Sequence, residues 1–289
     1  MKICISGEST CDLSKELMKE FDIHVIPYTV TLGDKSGIDG EITPKEIMDY
    51  VDKTGVLPKT SAINQYGFEQ YFKSLLDLGY DYVIHFTLSS KMSSTYQNAC
   101  IASQAFEGKV RVIDTQNLSS AIALQLIYAR RLANTNKYTI DEIVNKVEAR
   151  VPYAQASFVL WRLDYLFKGG RCSALTNIAA KVLGIRPQII VDNGAMRPNK
   201  KYRGKDNIVV KKYGEDTLAE FNNYDKDICF VTATNYSQEI YDILVNLAKE
   251  KGFKKIYCMT AGATITSHCG DKTIGILYYN DGDHSKDFE

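Results

Sequence analysis

Short apolar runs that alternate with amphipathic segments of helical length constrain this chain more than any single motif. Lys2–Ser6, Tyr82–Thr87 and Val110–Asp114 are compact and rich in branched or aromatic side chains, as buried strands are. His24–Val30 reads as a further strand, followed by a polar stretch over Leu32–Glu41. Between and after them, Leu13–Phe21, Pro44–Thr54, Phe68–Leu78, Thr95–Phe106, Ser120–Asn134 and a segment from Thr139 to about Val151 read as helices. Two of these begin with a recognisable start signal. Thr43 is placed to cap a helix with Pro44 at its first position and Glu46 at the capping-box position, and Thr139 with Glu142 repeats the device. Strands that alternate with helices in this way are joined by crossovers and pair in parallel.

The pattern changes near Tyr153. Ser157–Leu160 reads as a strand, Leu163–Arg171 runs into a double glycine, and Ser173–Leu183 is a small-residue helix. Pro187–Val191 and the segment after Asn193-Gly194 form a hairpin pattern, because Asn-Gly supplies the positive φ angles of a type I′ turn. Helices over Asn207–Phe221 and Gln238–Lys251 and strands over Asp227–Ala233, Lys255–Met259 and Ile274–Tyr279 follow. The expected fold class is therefore α/β: an N-terminal, mainly parallel open sheet flanked by helices (residues 1–152), and a second, smaller α/β domain with a mixed or antiparallel sheet (residues 153–289). No Gly/Ser-rich linker separates them, so the halves should pack closely around a cleft.

Composition excludes several function classes. Among 289 residues, Lys+Arg and Asp+Glu are both 35, so the balanced charge offers no field to gather nucleic acid. No apolar run approaches the roughly 18 residues of a membrane span, and the start, MKICISGESTCDLSKE, turns polar too early for a signal peptide. A cytoplasmic protein is expected. The seven cysteines include no C-x-x-C pair, so buried reduced thiols are expected in place of a zinc site or disulfide framework. Phosphate-binding, dinucleotide, zinc-protease and nucleophile-elbow motifs are absent. Neither a cofactor nor a metal is expected.

Hydroxyl groups crowd the segments that follow strands. Ser9-Thr10 come after the first strand, Thr87-Leu88-Ser89-Ser90-Lys91-Met92-Ser93-Ser94-Thr95 after Tyr82–Phe86, and Thr115, Ser119 and Ser120 after Val110–Asp114. In an open parallel sheet these segments meet at one edge, where helix N-termini also attract anions. Ser93 is the leading ligand candidate there, followed by Ser89 and Ser90. His268 lies in the polar, glycine-flanked stretch Thr264–Gly270, read as a loop, and an imidazole can donate to an anion. Lys168-Gly169-Gly170-Arg171 sets a guanidinium beside flexible backbone; it suits a carboxylate or phosphate, or a salt bridge between the halves. His85 alternates within a strand and reads as a packed histidine. The same edge admits a small-molecule hydrolase with Ser93 as nucleophile and His268 as base, although no third group is evident to orient the histidine.

In their order and spacing these pieces resemble the DegV family of bacterial two-domain lipid-binding proteins. The likeness runs through Glu8-Ser9-Thr10-Cys11-Asp12-Leu13, Lys59-Thr60-Ser61, Ser90 to Ala99, Asp114-Thr115, Leu166 to Arg171, Gly184-Ile185-Arg186-Pro187, Ala261-Gly262 and His268-Cys269-Gly270. It implies a single long-chain fatty acid held in an apolar tunnel between two α/β domains by a chain that binds without catalysing. It further implies presentation of the carboxylate to a separate fatty-acid kinase catalytic subunit, which makes acyl-phosphate for phospholipid synthesis. The implied head-group ligands are Thr60 or Ser61, and Ser93, with Ser94 and His268 close by and Arg171 at the interdomain edge. The expected state is a monomer or weak dimer, with no nucleic acid and no membrane span. Candidate tunnel walls are Ile122, Leu126, Leu163, Leu166, Phe167, Ile178, Leu183 and Ile185. This chain carries Glu8 where the family usually has Asp, Ser94 where it has Gly, Ala62-Ile63 where it has Gln-Pro, and Asp271-Lys272 where it has Pro-Gly.

Overall fold

The computed structural model describes residues 1–172 and 184–289, so the helix expected over 173–183 lies outside the described residues, with Ile178 and Leu183. In chain order the first half contains β1 (Ile3–Glu8), α1 (Lys15–Glu20), β2 (Ile23–Ile26), β3 (Thr29–Leu32), β4 (Lys35–Ile38), α2 (Pro44–Thr54) and β5 (Lys59–Ser61). It continues with α3 (Gln65–Asp77), β6 (Tyr82–Thr87), α4 (Thr95–Ser103), β7 (Val110–Asp114), α5 (Ser120–Thr135) and α6 (Ile140–Arg150). The second half contains β8 (Ala154–Val159), α7 (Leu163–Lys168), β9 (Arg186–Asp192), β10 (Ala195–Tyr202) and α8 (Asp206–Glu220). β11 (Ile228–Ala233), α9 (Gln238–Glu250), β12 (Lys255–Thr260), α10 (Ala263–Cys269) and β13 (Ile274–Tyr279) complete it.

Three sheets result. The first is four-stranded and parallel, in the order β2-β1-β6-β7. Side chains alternate across it: Ile3 and Ile5 join a core that contains α5, whereas Cys4 joins Phe68 and Phe72 of α3 and Ala99 of α4 on the other face. The second is six-stranded and mixed, in the order β10-β9-β8-β13-β11-β12, with β11–β12 its parallel pair. One face, with Phe158, Phe230 and Leu277, shares the α5 core; the other packs on α8 and α9. Every residue of α5 from Ser120 to Arg130 is buried, as expected of a helix covered all round. It packs against both sheets, and one hydrophobic core runs through both halves.

The third sheet, β4-β3-β5, is antiparallel and was not expected from the sequence. The single strand expected over His24–Val30 is two strands in different sheets. Pro27 lacks the N–H that would continue the ladder, so β2 stays beside β1 and β3 departs. The polar stretch Leu32–Glu41 contains β4, whose largely exposed residues give no alternating signal. Both capping boxes form as read, at Thr43 with Glu46 and at Thr139 with Glu142. The Asn193-Gly194 hairpin is also present, with φ angles of 48° and 80°. Cys258, on β12, is exposed, contrary to the expectation of buried thiols.

Thr264–Gly270, read as a loop, is instead largely α10. Its first amides are held by carboxylates distant in sequence. Asp12 accepts from Gly262 N at 2.8 Å, and Asp39 accepts from Ala263 N at 2.8 Å and Thr264 N at 3.0 Å. Negative charge at a helix start satisfies orphan N–H groups and complements the dipole, so a weakly apolar segment becomes helical. Replacing Asp39 by Ala should therefore lower unfolding stability by about 1–2 kcal/mol, read as an earlier urea midpoint; an unchanged midpoint would show that α10 does not need this cap.

Candidate ligand site at the sheet edge

The strand order of the parallel sheet reverses between β1 and β6, and the crevice beyond their carboxyl ends is where open α/β sheets take ligands. Glu8 ends β1 there, and Leu88–Ser94 carry β6 into α4. A cavity of about 190 Å³ opens at this point. Its apolar walls are Ala62, Leu88, Met92, Leu118, Leu166, Met196, Ile265 and Cys269; its polar lining is Tyr28, Thr60, Ser93, Ser94, Thr264, His268 and Arg171. The residues come from both halves of the chain.

Five of the six site residues singled out from sequence, Thr60, Ser93, Ser94, Arg171 and His268, thus share one cavity. Ser61 does not line it. Alternate residues of a strand face opposite ways, so Thr60 of β5 turns inward and Ser61 is exposed. Ser89 and Ser90 are engaged elsewhere: Ser89 donates to the Gly194 carbonyl at 2.6 Å, tying the β9–β10 turn to this edge, and Ser90 bonds Asp114. Of the expected tunnel walls, Leu166 lines the cavity, Ile122 and Leu126 belong to the main core, and Phe167 is exposed.

His268 sits in the last turn of α10, with Nε2 2.8 Å from Thr60 Oγ1. Burial, and secondarily the Arg171 charge, push its pKa from 6.5 down to about 4, so the ring is neutral at physiological pH. Two polar atoms of the lining, His268 Nδ1 and Thr264 Oγ1, are buried and have no hydrogen-bond partner among the described residues. Such atoms are costly unless something pairs with them. Ser93 Oγ lies 3.2 Å from Tyr28 Oη and accepts from Thr95 N at 3.3 Å. Ser93 and His268 are therefore bonded to Tyr28 and Thr60 respectively, and a nucleophile–base hydrogen bond between them is not among the described contacts. Arg171 is exposed at the rim, donates to the Gly169 carbonyl at 2.5 Å, and has no acidic partner among the described residues. The double glycine has a steric reason: a β-carbon on Gly169 would lie 2.9 Å from His268 Nδ1, and Gly170 has a φ of +71°.

Sequence reasoning missed Tyr28 and Thr264. Tyr28 follows Pro27 and was read as mid-strand, where its side chain had no assigned direction; Thr264 was hidden by the loop reading of α10. Lys272, where the resemblance implies a glycine, adopts a φ of +54°, and its side chain bonds Asp206 at 3.1 Å. Among the described residues no cluster of His, Cys, Asp or Glu could hold a metal ion, and no helix is long and apolar enough to cross a membrane.

A family model described as "Uncharacterised protein, DegV family" matches residues 2–281. The chain belongs to the DegV family. A DegV domain-containing protein of Clostridium acetobutylicum is 32% identical, the match covering 96% of this chain and 98% of the relative. A Thermotoga maritima protein named as a fatty acid-binding protein is also 32% identical, with 95% and 96% covered. Among solved structures, a DegV lipid-binding protein from Thermotoga maritima is similar with a TM-score of 0.84 at 31% identity, covering 96% of this chain and 98% of that one. A DegV family protein from Thermus thermophilus, described for fatty acid binding, has a TM-score of 0.87 at 25% identity, covering 97% and 100%.

The half-buried imidazole, with its Nδ1 out of solvent, should make this DegV protein acid-sensitive in a specific window. The unfolded chain protonates His268 near pH 6.5 and the folded chain only near pH 4, so stability is lost as pH falls through that interval. His268→Gln should show a shallower fall in urea midpoint across the same interval. An identical slope in both proteins would mean that the ring is not held neutral.

Proposed function

We propose that this chain binds one long-chain fatty acid, with the carboxylate among Thr60, Ser93, Ser94, Thr264 and His268 and the tail along Leu88, Met92, Leu118, Leu166, Met196 and Ile265. The observation that carries this is the pairing, in one cavity, of an apolar wall with unpartnered buried polar atoms at His268 and Thr264. A neutral His268 can donate through Nδ1 while Nε2 accepts from Thr60. In the other tautomer Nε2 donates to Thr60, whose hydroxyl proton is then free for a carboxylate. Arg171 at the rim adds a charge without closing the site. Relatives at 31–32% identity that are named for fatty-acid or lipid binding support the same ligand class.

Magnitudes divide the labour. Each buried methylene contributes about 0.8 kcal/mol, so a tail of about sixteen carbons gains on the order of 10 kcal/mol before association costs. Affinity comes from the tail. The head-group contacts set direction and keep a carboxylate from being buried unpaired, which is far more costly than any single hydrogen bond is favourable. Residues 1–152 and 153–289 act in this reading as two lobes around the ligand. The chain then serves as a cytoplasmic, non-catalytic carrier that presents the head group at the Arg171 rim to a separate ATP-using kinase.

Denaturing mass spectrometry of the protein purified from bacteria should release a fatty acid of roughly 14–18 carbons, the length at which methylene burial outweighs association costs. Protein that is repeatedly empty and takes up no labelled palmitate would overturn the reading. Ser93→Ala should weaken palmitate binding about ten- to hundredfold, the loss of one hydrogen bond to a charged group; an unchanged affinity would remove Ser93 from the head-group site.

A further inference from the structure

Behind the cavity wall lies a carboxyl group that the binding reading does not use. Glu8 is 0% exposed at the end of β1. Its Oε2 accepts from Leu88 N at 2.8 Å, Tyr28 Oη at 3.3 Å and Thr10 Oγ1 at 3.5 Å, and its Oε1 accepts from Thr95 Oγ1. No cation faces it among the described residues. From β6, His85 Nε2 comes within 4.0 Å of Oε1, but burial pushes that imidazole down to about 3, and its Nδ1 is engaged by Ser6. From α3 and the turn after β1, Tyr71 and Cys11 are raised by burial and stay neutral. Burial likewise lifts the Glu8 carboxyl to about 7, against the downward pull of its hydrogen bonds. Glu8 is thus the group in this cluster that changes charge near neutrality.

We propose that Glu8 is a positioning residue for the head-group site: through Tyr28 it sets which way the Ser93 hydroxyl points, and it takes up a proton when a carboxylate enters the cavity. Proton counting gives the reason. Tyr28 has one hydroxyl proton. While Glu8 is ionised, that proton is drawn to Oε2, so Tyr28 Oη can only accept, and the Ser93 proton satisfies it across 3.2 Å. An arriving carboxylate needs that same Ser93 proton. If Ser93 turns to the ligand with Glu8 still ionised, two lone-pair-bearing oxygens face each other, and a second anion is added in a low-dielectric site at the far end of the Tyr28–Ser93 row. Once Glu8 is protonated it no longer demands the Tyr28 proton. Tyr28 then donates to Ser93, Ser93 donates to the ligand, and every oxygen in the row is paired. Anion binding and protonation of Glu8 therefore favour each other, and by linkage each raises the affinity of the other.

The proposal rests on the fatty-acid reading, and its test separates the two. Palmitate affinity is measured across about pH 6 to about pH 8.5, and proton uptake on binding is measured by calorimetry at about pH 7 in two buffers of different ionisation enthalpy; a one-unit rise in the Glu8 pKa corresponds to about tenfold. The wild-type affinity should fall about tenfold as pH rises through this range, with net proton uptake on binding. Glu8→Gln, an uncharged near-isostere, should bind with a clearly shallower pH profile and with less proton uptake than the wild type. Tyr28→Phe keeps the acid but removes the connecting hydroxyl, and should lose most of the pH dependence as well; it decides the matter if Glu8→Gln does not fold. Asp12, the other buried acid nearby, is raised to about 8 and is unchanged in both variants, so its contribution is common to all three proteins. A pH slope in the folded variants equal to that of the wild type would overturn the role of Glu8 while leaving the fatty-acid reading intact. Absence of palmitate binding to the wild-type chain would instead overturn that reading, and the role of Glu8 would fall with it.

Discussion

Two acidic side chains from the first half of the chain hold the first amides of a helix in the last thirty residues, and the site geometry depends on that grip. Asp12 lies just after β1 and Asp39 just after β4; together they accept from Gly262, Ala263 and Thr264. Burial raises Asp12 to about 8, with the nearby Asp39 charge adding to the rise, so the arrangement is electrostatically expensive and must be compensated by the amides and by Ser119. What it secures is the placement of α10. At its start, Thr264 lines the cavity; at the far end His268 reaches Thr60 on β5. Three sequence-distant pieces thereby converge without any of them being part of the parallel sheet.

The cavity joins two physical regimes. Its apolar side comes from residues that would sit comfortably in any core, and its polar side from hydroxyls and an imidazole that would not. His268 Nδ1 and Thr264 Oγ1 meet no partner from the described residues, so they are the polar atoms of the lining left open to pair with a guest. Burial keeps the imidazole neutral, so it acts as a hydrogen-bonding group of adjustable tautomer and leaves the positive charge to Arg171 at the rim.

Much of this was legible in the sequence, and the misses share a cause. The boundaries of β6, β7 and β13 are legible to the residue, because each is a compact run rich in branched or aromatic side chains between polar turns. The capping boxes and the Asn193-Gly194 turn were equally legible, since their chemistry is local. β4 and β5 were missed because they are short and mostly exposed, so burial leaves no period-two signature. α10 was missed because its start is specified by Asp12 and Asp39, more than two hundred residues away. Thr60, Ser93, Ser94, Arg171 and His268 could be gathered from hydroxyl crowding and resemblance, but Tyr28 required knowing that Pro27 breaks the strand before it. Ser61 shows the reverse limit: adjacency in sequence to Thr60 means opposite faces once β5 is extended.

The buried helix α5 limits which motions the two halves of the chain can make. Its entire first three turns are covered by the parallel sheet on one side and the mixed sheet on the other, within one hydrophobic core. Prising the halves apart like a clamshell would wet that whole surface at once, a penalty comparable to unfolding. Any opening that leaves α5 covered has to lie at the periphery, where the three-stranded sheet and α10 meet across Thr60 and His268.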